Sequence, residues 1–193
     1  MDFKFLYQRI KYLIIDPEKA WDMIFTENKP IRYVGDSFFL PLTILVAIAA
    51  FTGSVIFKNP GLSIMYSVLA AVKYFLLLHI AIYVSSFIMK ELTYAMDMGR
   101  NFTVSFKIIA YSLAPFLICQ IISRLFESFI FVNILAFYGL YIFWLGIEKM
   151  LNPPEHKRMP LMIIMTVAAI GSIIASNMLL RLITDKVYFA FFA

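Results

Sequence analysis

Apolar residues run almost unbroken through five stretches of this chain: Ser37 to Phe57, Leu62 to Met89, Phe102 to Phe126, Phe129 to Ile147 and Leu161 to Leu182. At a helical rise of about 1.5 Å per residue, each crosses or nearly crosses the roughly 30 Å hydrocarbon core of a bilayer. The pattern predicts an all-α membrane protein with a bundle of five transmembrane helices. Ahead of them, Phe3, Leu6, Tyr7, Ile10, Leu13 and Ile14 recur at steps of three and four, with Lys4, Gln8, Arg9 and Lys11 around the rest of the wheel. That spacing predicts a basic amphipathic helix. Asp16 and Pro17 then supply a cap and a first position for a second short helix, with Ala20, Trp21, Ile24 and Phe25 on its apolar edge. Trp suits the headgroup layer, so both helices are expected on the membrane surface, with Lys4, Arg9, Lys11 and Trp21 touching lipid headgroups. Packing against the ends of the spans is the competing expectation.

Three segments follow: a cytoplasmic amphipathic segment over residues 1–36, the transmembrane domain over 37–182 and a short extracytoplasmic tail over 183–193. Within the first span, Ala49 and Gly53 form a small-residue face for a neighbouring helix, and Lys58, Asn59, Pro60 and Gly61 read as a tight turn. Asn101 is placed to cap the third span. Pro115 interrupts that span, frees the carbonyl of Tyr111 and should bend the helix unless Ser112 or a neighbour compensates. Ala168, Ser172 and Ser176 give the fifth span a close-packing face.

Composition is that of a polytopic membrane protein with a single membrane domain. Of its 193 residues 62% are hydrophobic and 15% charged, with mean hydropathy +0.84, whereas soluble domains run near 45–50% and 25%. The net charge of +5 is that of a membrane protein with basic loops, and nucleic acid is excluded as a partner. Lys and Arg divide twelve against four between the two sides, which puts the N-terminus in the cytoplasm and the C-terminus outside. On that topology Asn101-Phe102-Thr103 faces the cytoplasm, so its glycosylation pattern is chance. The single Cys119 lies in a span and rules out an internal disulfide. The first 36 residues interleave charge with apolar side chains, so no cleaved signal peptide is expected.

Ionisable and amide groups inside spans are the candidate functional residues. Lys73 costs the second span about 2.5–3.5 kcal/mol, outweighed by eleven Leu, Ile, Val and Phe residues contributing roughly 0.3–0.6 kcal/mol each. It would lie about 16 Å deep. Gln120, Asn133 and Asn177 fall in the outer halves of their helices and Glu127 at the outer edge, so the five define a candidate polar, outward-facing crevice with Lys73 at its floor. The alternative is that Lys73 snorkels or pairs with Glu127 while the amides bond between helices. His79 points some 120° away from Lys73 and reads as a hydrogen-bonded packing residue. No metal-ligand cluster, nucleophile and base pair or phosphate loop is visible, so neither a cofactor nor catalysis is expected.

Three stretches carry a resemblance: DPEKAWDMI (Asp16 to Ile24), GRNFTVSFKIIAYSLAP (Gly99 to Pro115) and YGLYIFWLGIEKML (Tyr138 to Leu151). Their order, with a Pro and Lys loop and a last span behind them, resembles the Yip domain family of five-span membrane proteins, named for eukaryotic members that interact with Ypt/Rab GTPases. Tyr111, Ser112 and Pro115 are the strongest match, and mark a candidate hinge as well as a motif. The resemblance implies a non-enzymatic protein that organises membrane or partner proteins. Eukaryotic members carry a hydrophilic N-terminal region with an acidic, aromatic DLYGP-type motif that this chain lacks, so Rab binding is not expected. The short form is similar to the bacterial branch, which implies the cytoplasmic membrane. The expected partners are the bilayer and either another membrane protein or a second copy. A small transporter or channel using the crevice is the other function open to it.

Overall fold

The computed structural model describes residues 2–57 and 64–191, with the side chains of Glu127 and residues 188–191 outside that description. The turn from Lys58 to Gly61 lies outside the described residues. All described elements are helical: α1 (Phe3–Ile15), α2 (Pro17–Glu27), α3 (Ile31–Val34), a π turn (Gly35–Phe39), α4 (Leu40–Phe57), α5 (Ile64–Ala95), α6 (Phe102–Ser112), α7 (Ala114–Leu125), a 3-10 segment (Glu127–Phe137), α8 (Tyr138–Leu151) and α9 (Glu155–Phe191). Four stretches, Ile31–Phe57, Ile64–Ala95, Ser128–Leu151 and Glu155–Val187, are long and apolar enough to cross a membrane, and α6 with α7 makes a fifth when taken as one span.

Local sequence explains most of the boundaries. Asp16 Oδ1 accepts from the Lys19 amide at 3.1 Å, and Pro17 opens α2 where its missing N–H is harmless. The π turn lies just before Pro41, whose ring would otherwise meet the carbonyl four residues back. Asn101 Oδ1 accepts from Val104 N at 3.2 Å and starts α6. Two helices outrun their expected ends. Polar residues Lys90 and Glu91 remain helical in α5, and α9 carries the expected tail through to Phe191 with Pro160 in its first turns. Polar side chains do not end a helix once it has left the hydrocarbon; Gly99, in the left-handed region at φ 87°, falls in the α5–α6 link.

The stretch that carries Pro115 bends as the proline requires. α6 and α7 meet at 42°, with Leu113 as the joint at φ −75° and ψ −7°. Ser112 does not compensate: its hydroxyl is buried without a hydrogen-bond partner. Gly139 of α8 instead backs onto the Ser112 carbonyl, so closely that a Cβ there would lie 2.7 Å from the oxygen. The small-residue faces also behave as expected. Gly53 packs against the backbone of Arg124, and the hydroxyls of Ser85 on α5 and Ser172 on α9 bond to each other.

Packing is uneven along the bundle. The largest fully buried side chains, among them Trp21, Tyr111, Phe38, Phe106, Lys107, Ile142 and Ile147, gather where α1 and α2 meet α6 and α8. Toward the other end Ile134, Phe137, Ile174 and Met178 are exposed. One end is therefore a close-packed core and the other is splayed.

Candidate functional site: a locked cap and an intramembrane slot

The close-packed end is built by the first two helices. Trp21 is wholly buried, and its indole Nε1–H donates to the Ile142 carbonyl of α8 at 2.9 Å. That carbonyl is reachable because the residue one turn on is Gly146, over which the ring lies; a Cβ there would meet Cζ2 at 2.5 Å. Asp22 pairs with Lys149 at 2.9 Å in the following turn, and the Tyr138 hydroxyl donates to the Ile14 carbonyl at 3.1 Å. The α1–α2 hairpin thus lies along α8, over about 16 Å of helix rise between Tyr138 and Lys149. Tyr111 closes the pocket, edge-on to Trp21 with centroids 6.0 Å apart and 4.7 Å from Phe38.

Arg9 completes this core. Its side chain is 3% exposed, with Nη2 on Glu27 at 2.6 Å and Nη1 on the Ala20 carbonyl at 3.4 Å. The guanidinium lies over the Phe5 ring at 5.0 Å and Tyr111 at 5.7 Å. Expected headgroup contacts are therefore corrected at two positions. Trp21 and Arg9 face protein, because a carbonyl, a carboxylate and aromatic faces satisfy them there. Lys4 and Lys11 remain exposed, as do Phe3, Tyr7, Ile15 and Phe25 of the hairpin's outer face.

Lys107 is a second buried cation, 1% exposed. Its Nζ donates to Asn28 Oδ1 at 2.8 Å, at the C-terminal end of α2 where the helix dipole favours positive charge. The two partners respond differently to removal. Lys107→Met takes the charge away with the side chain and should change the unfolding midpoint little; Asn28→Ala leaves the ammonium buried and should cost about 1–3 kcal/mol. Thermal unfolding in detergent compares them directly, and equal losses would contradict this assignment.

At the splayed end α9 packs along α5 and stands away from α7. Its nearer half meets α8 through Trp144 Nε1–H, which donates to Thr166 Oγ1 at 2.9 Å. The gap is an apolar slot of about 400 Å³, walled by Ile109, Phe116, Phe143, Ala169 and Ile173 and reached by Gln120, Asn133 and Ser112. Gln120 Nε2 donates to Asn133 Oδ1 at 3.0 Å, and Asn133 Nδ2 to the Ile130 carbonyl at 2.9 Å. Arg124, one turn above, donates from Nε to Gln120 Oε1 at 3.2 Å and rests over the Tyr74 ring at 4.3 Å.

Of the five crevice residues the structure brings two together. Gln120 and Asn133 meet at the slot, whereas Lys73 is half-buried on α5 outside it and Asn177 is exposed on α9. The Glu127 side chain lies outside the described part. Lys73 comes within electrostatic reach of Arg124, Arg181 and Asp185. His79 is the packing residue expected, its Nδ1–H donating to the Phe75 carbonyl at 2.9 Å. Among the described residues no group of three His, Cys, Asp or Glu could hold a metal. Gly146, Gly139 and Lys107 were missed from sequence. For the glycines, the only sign was a residue without a side chain amid large ones.

These features define a multi-pass, all-helical membrane protein. Residues 11–176 match the Yip1 domain, and the chain belongs to that family. No curated protein and no solved structure matches the chain. The three stretches that resemble the family are those that interlock here: Trp21 from the first, Tyr111 from the second, Ile142 and Gly146 from the third.

Proposed function

We propose that this Yip1-domain protein crosses the membrane five times, with its N-terminus in the cytoplasm, and organises the bilayer or a partner membrane protein without catalysing a reaction. The observation that carries this reading is the α1–α2 hairpin. It is fixed to α8 by Trp21, Asp22 and the Ile14 carbonyl yet turns Phe3, Tyr7, Ile15 and Phe25 outward. Large apolar side chains held exposed on a rigid support favour lipid or a membrane protein as their counterpart. The location that goes with this reading is the cytoplasmic membrane of a bacterium. Polar groups within the spans are largely paired with one another, as Ser54 with Ser67 at 3.0 Å and Gln120 with Asn133, which favours a scaffold over a water-filled path.

Reconstituted vesicles test this against transport. We expect solute flux and lipid scrambling no faster than in protein-free vesicles, with Lys73→Met the same as the parent. Saturable movement that Lys73→Met abolishes would establish the carrier reading in its place.

A further inference from the structure

The slot between α7, α8 and α9 has the make-up of a lipid site. Along the bent span it extends from Ile109 to Gln120, about 16 Å of helix rise, which is close to half the roughly 30 Å hydrocarbon thickness and so about one leaflet deep. Its volume of about 400 Å³ falls within the 300–1,000 Å³ typical of small-molecule sites, and a mostly apolar wall with a few polar groups at one end is their usual lining.

The polar end has unused donors. Each primary amide carries two N–H groups; Gln120 gives one to Asn133 and Asn133 gives one to Ile130, leaving one on each among the described residues. Above them lies Arg124, which among the described side chains is paired with no carboxylate. Lys73 is within electrostatic reach of Arg124, Arg181 and Asp185, and the Asp185 carboxylate is 3.7 Å from Arg181 Nε. Among the described side chains, the charge beside the polar end of this apolar slot is thus that of the Arg124 guanidinium, held there by Gln120. Phe137 and Ile174 on its wall are exposed, so the opening faces lipid laterally.

We propose that this slot holds one hydrocarbon chain of an anionic phospholipid from the leaflet that α7 reaches. The phosphate sits at Arg124, and the ester oxygens accept from the spare amide hydrogens of Gln120 and Asn133. The hydrocarbon lies along Phe116, Ala169 and Ile173. This ligand names a chemistry for the membrane-organising reading but depends only on the protein being in a bilayer; it stands or falls separately from the flux measurement.

The test uses the full chain in phosphatidylcholine nanodiscs doped with phosphatidylglycerol, or with phosphatidylcholine, bearing a photoactivatable diazirine midway along one acyl chain. Labelled residues are mapped by mass spectrometry. The phosphatidylglycerol probe should label Phe116 and Ile173 at least fivefold more than exposed Ile48 on α4, and at least fivefold more than the phosphatidylcholine probe does. Arg124→Gln should erase the headgroup preference. Ala169→Trp should remove slot labelling by both probes while Ile48 labelling and helical circular dichroism stay unchanged; if that variant loses its helical signal, Arg124→Gln decides alone. Equal labelling by both probes, a preference that survives Arg124→Gln, or crosslinks between two copies through the slot in place of lipid would each overturn the proposal.

Discussion

Trp21→Ala should release the α1–α2 hairpin from the bundle and cost about 3–5 kcal/mol, the range for emptying a buried Trp site. The ring is wholly buried, and nothing nearby can collapse into its space without moving α8 or Tyr111. Trp21→Phe keeps most of the bulk and loses only the bond to Ile142, so about 1 kcal/mol is expected. Limited proteolysis reads the outcome: cleavage within residues 3–27 should accelerate at least tenfold for Trp21→Ala and little for Trp21→Phe. Gly146→Ala provides the cross-check. Its Cβ would lie 2.5 Å from the indole, so it should be harmful in the parent and nearly silent beside Trp21→Ala, a coupling expected only of residues in contact. An interfacial anchor would give no such coupling and would respond to lipid headgroup instead.

Gly53→Val should be comparably severe. The Cβ added at Gly53 would overlap the Arg124 carbonyl, with the carbonyl carbon 2.9 Å away and the Leu125 Cα 3.4 Å away. Backbone cannot swing aside as a side chain end can, so α4 and α7 must separate. In lipid, helices associate through close packing rather than through burial from water, and lost approach is lost association. About 3 kcal/mol, the upper end for overpacking, is expected, seen as a lower midpoint or loss of a cooperative melt in detergent. Gly171→Ala is the control, since a Cβ there meets nothing within 4 Å and helix propensity favours Ala. A melt equal to or above the parent's is expected for it.

Much of the architecture could be read from the chain. Hydropathy marks the four long apolar helices and the bent pair α6–α7, Asp16 and Asn101 mark helix starts, and Pro115 forecasts the 42° bend, because these are local properties of a few adjacent residues. Ala49, Gly53 and Ser172 were legible as packing positions for the same reason. What could not be read was which face of one helix meets which face of another. Trp21 fits a headgroup layer as well as a protein pocket, and the carbonyl that decides between them belongs to Ile142, 121 residues away. Arg9 in an amphipathic helix looks like a solvated charge until Glu27, Phe5 and Tyr111 surround it. Counting residues puts Gln120, Asn133 and Asn177 in the outer halves of their stretches with Lys73 deeper; whether they share a cavity depends on the rotation of each helix about its axis. Hydropathy carries no trace of that rotation, so only Gln120 and Asn133 were found together.

The reading rests on an odd number of crossings, with the docked hairpin on the side opposite the end of α9. Single cysteines introduced at exposed Lys4 and Lys186, with Cys119 replaced by Ser, can be tagged by a membrane-impermeant maleimide before and after opening of the membrane. The account predicts that Lys186→Cys reacts on intact cells and that Lys4→Cys reacts only after permeabilisation. Reaction of both under the same condition would contradict it.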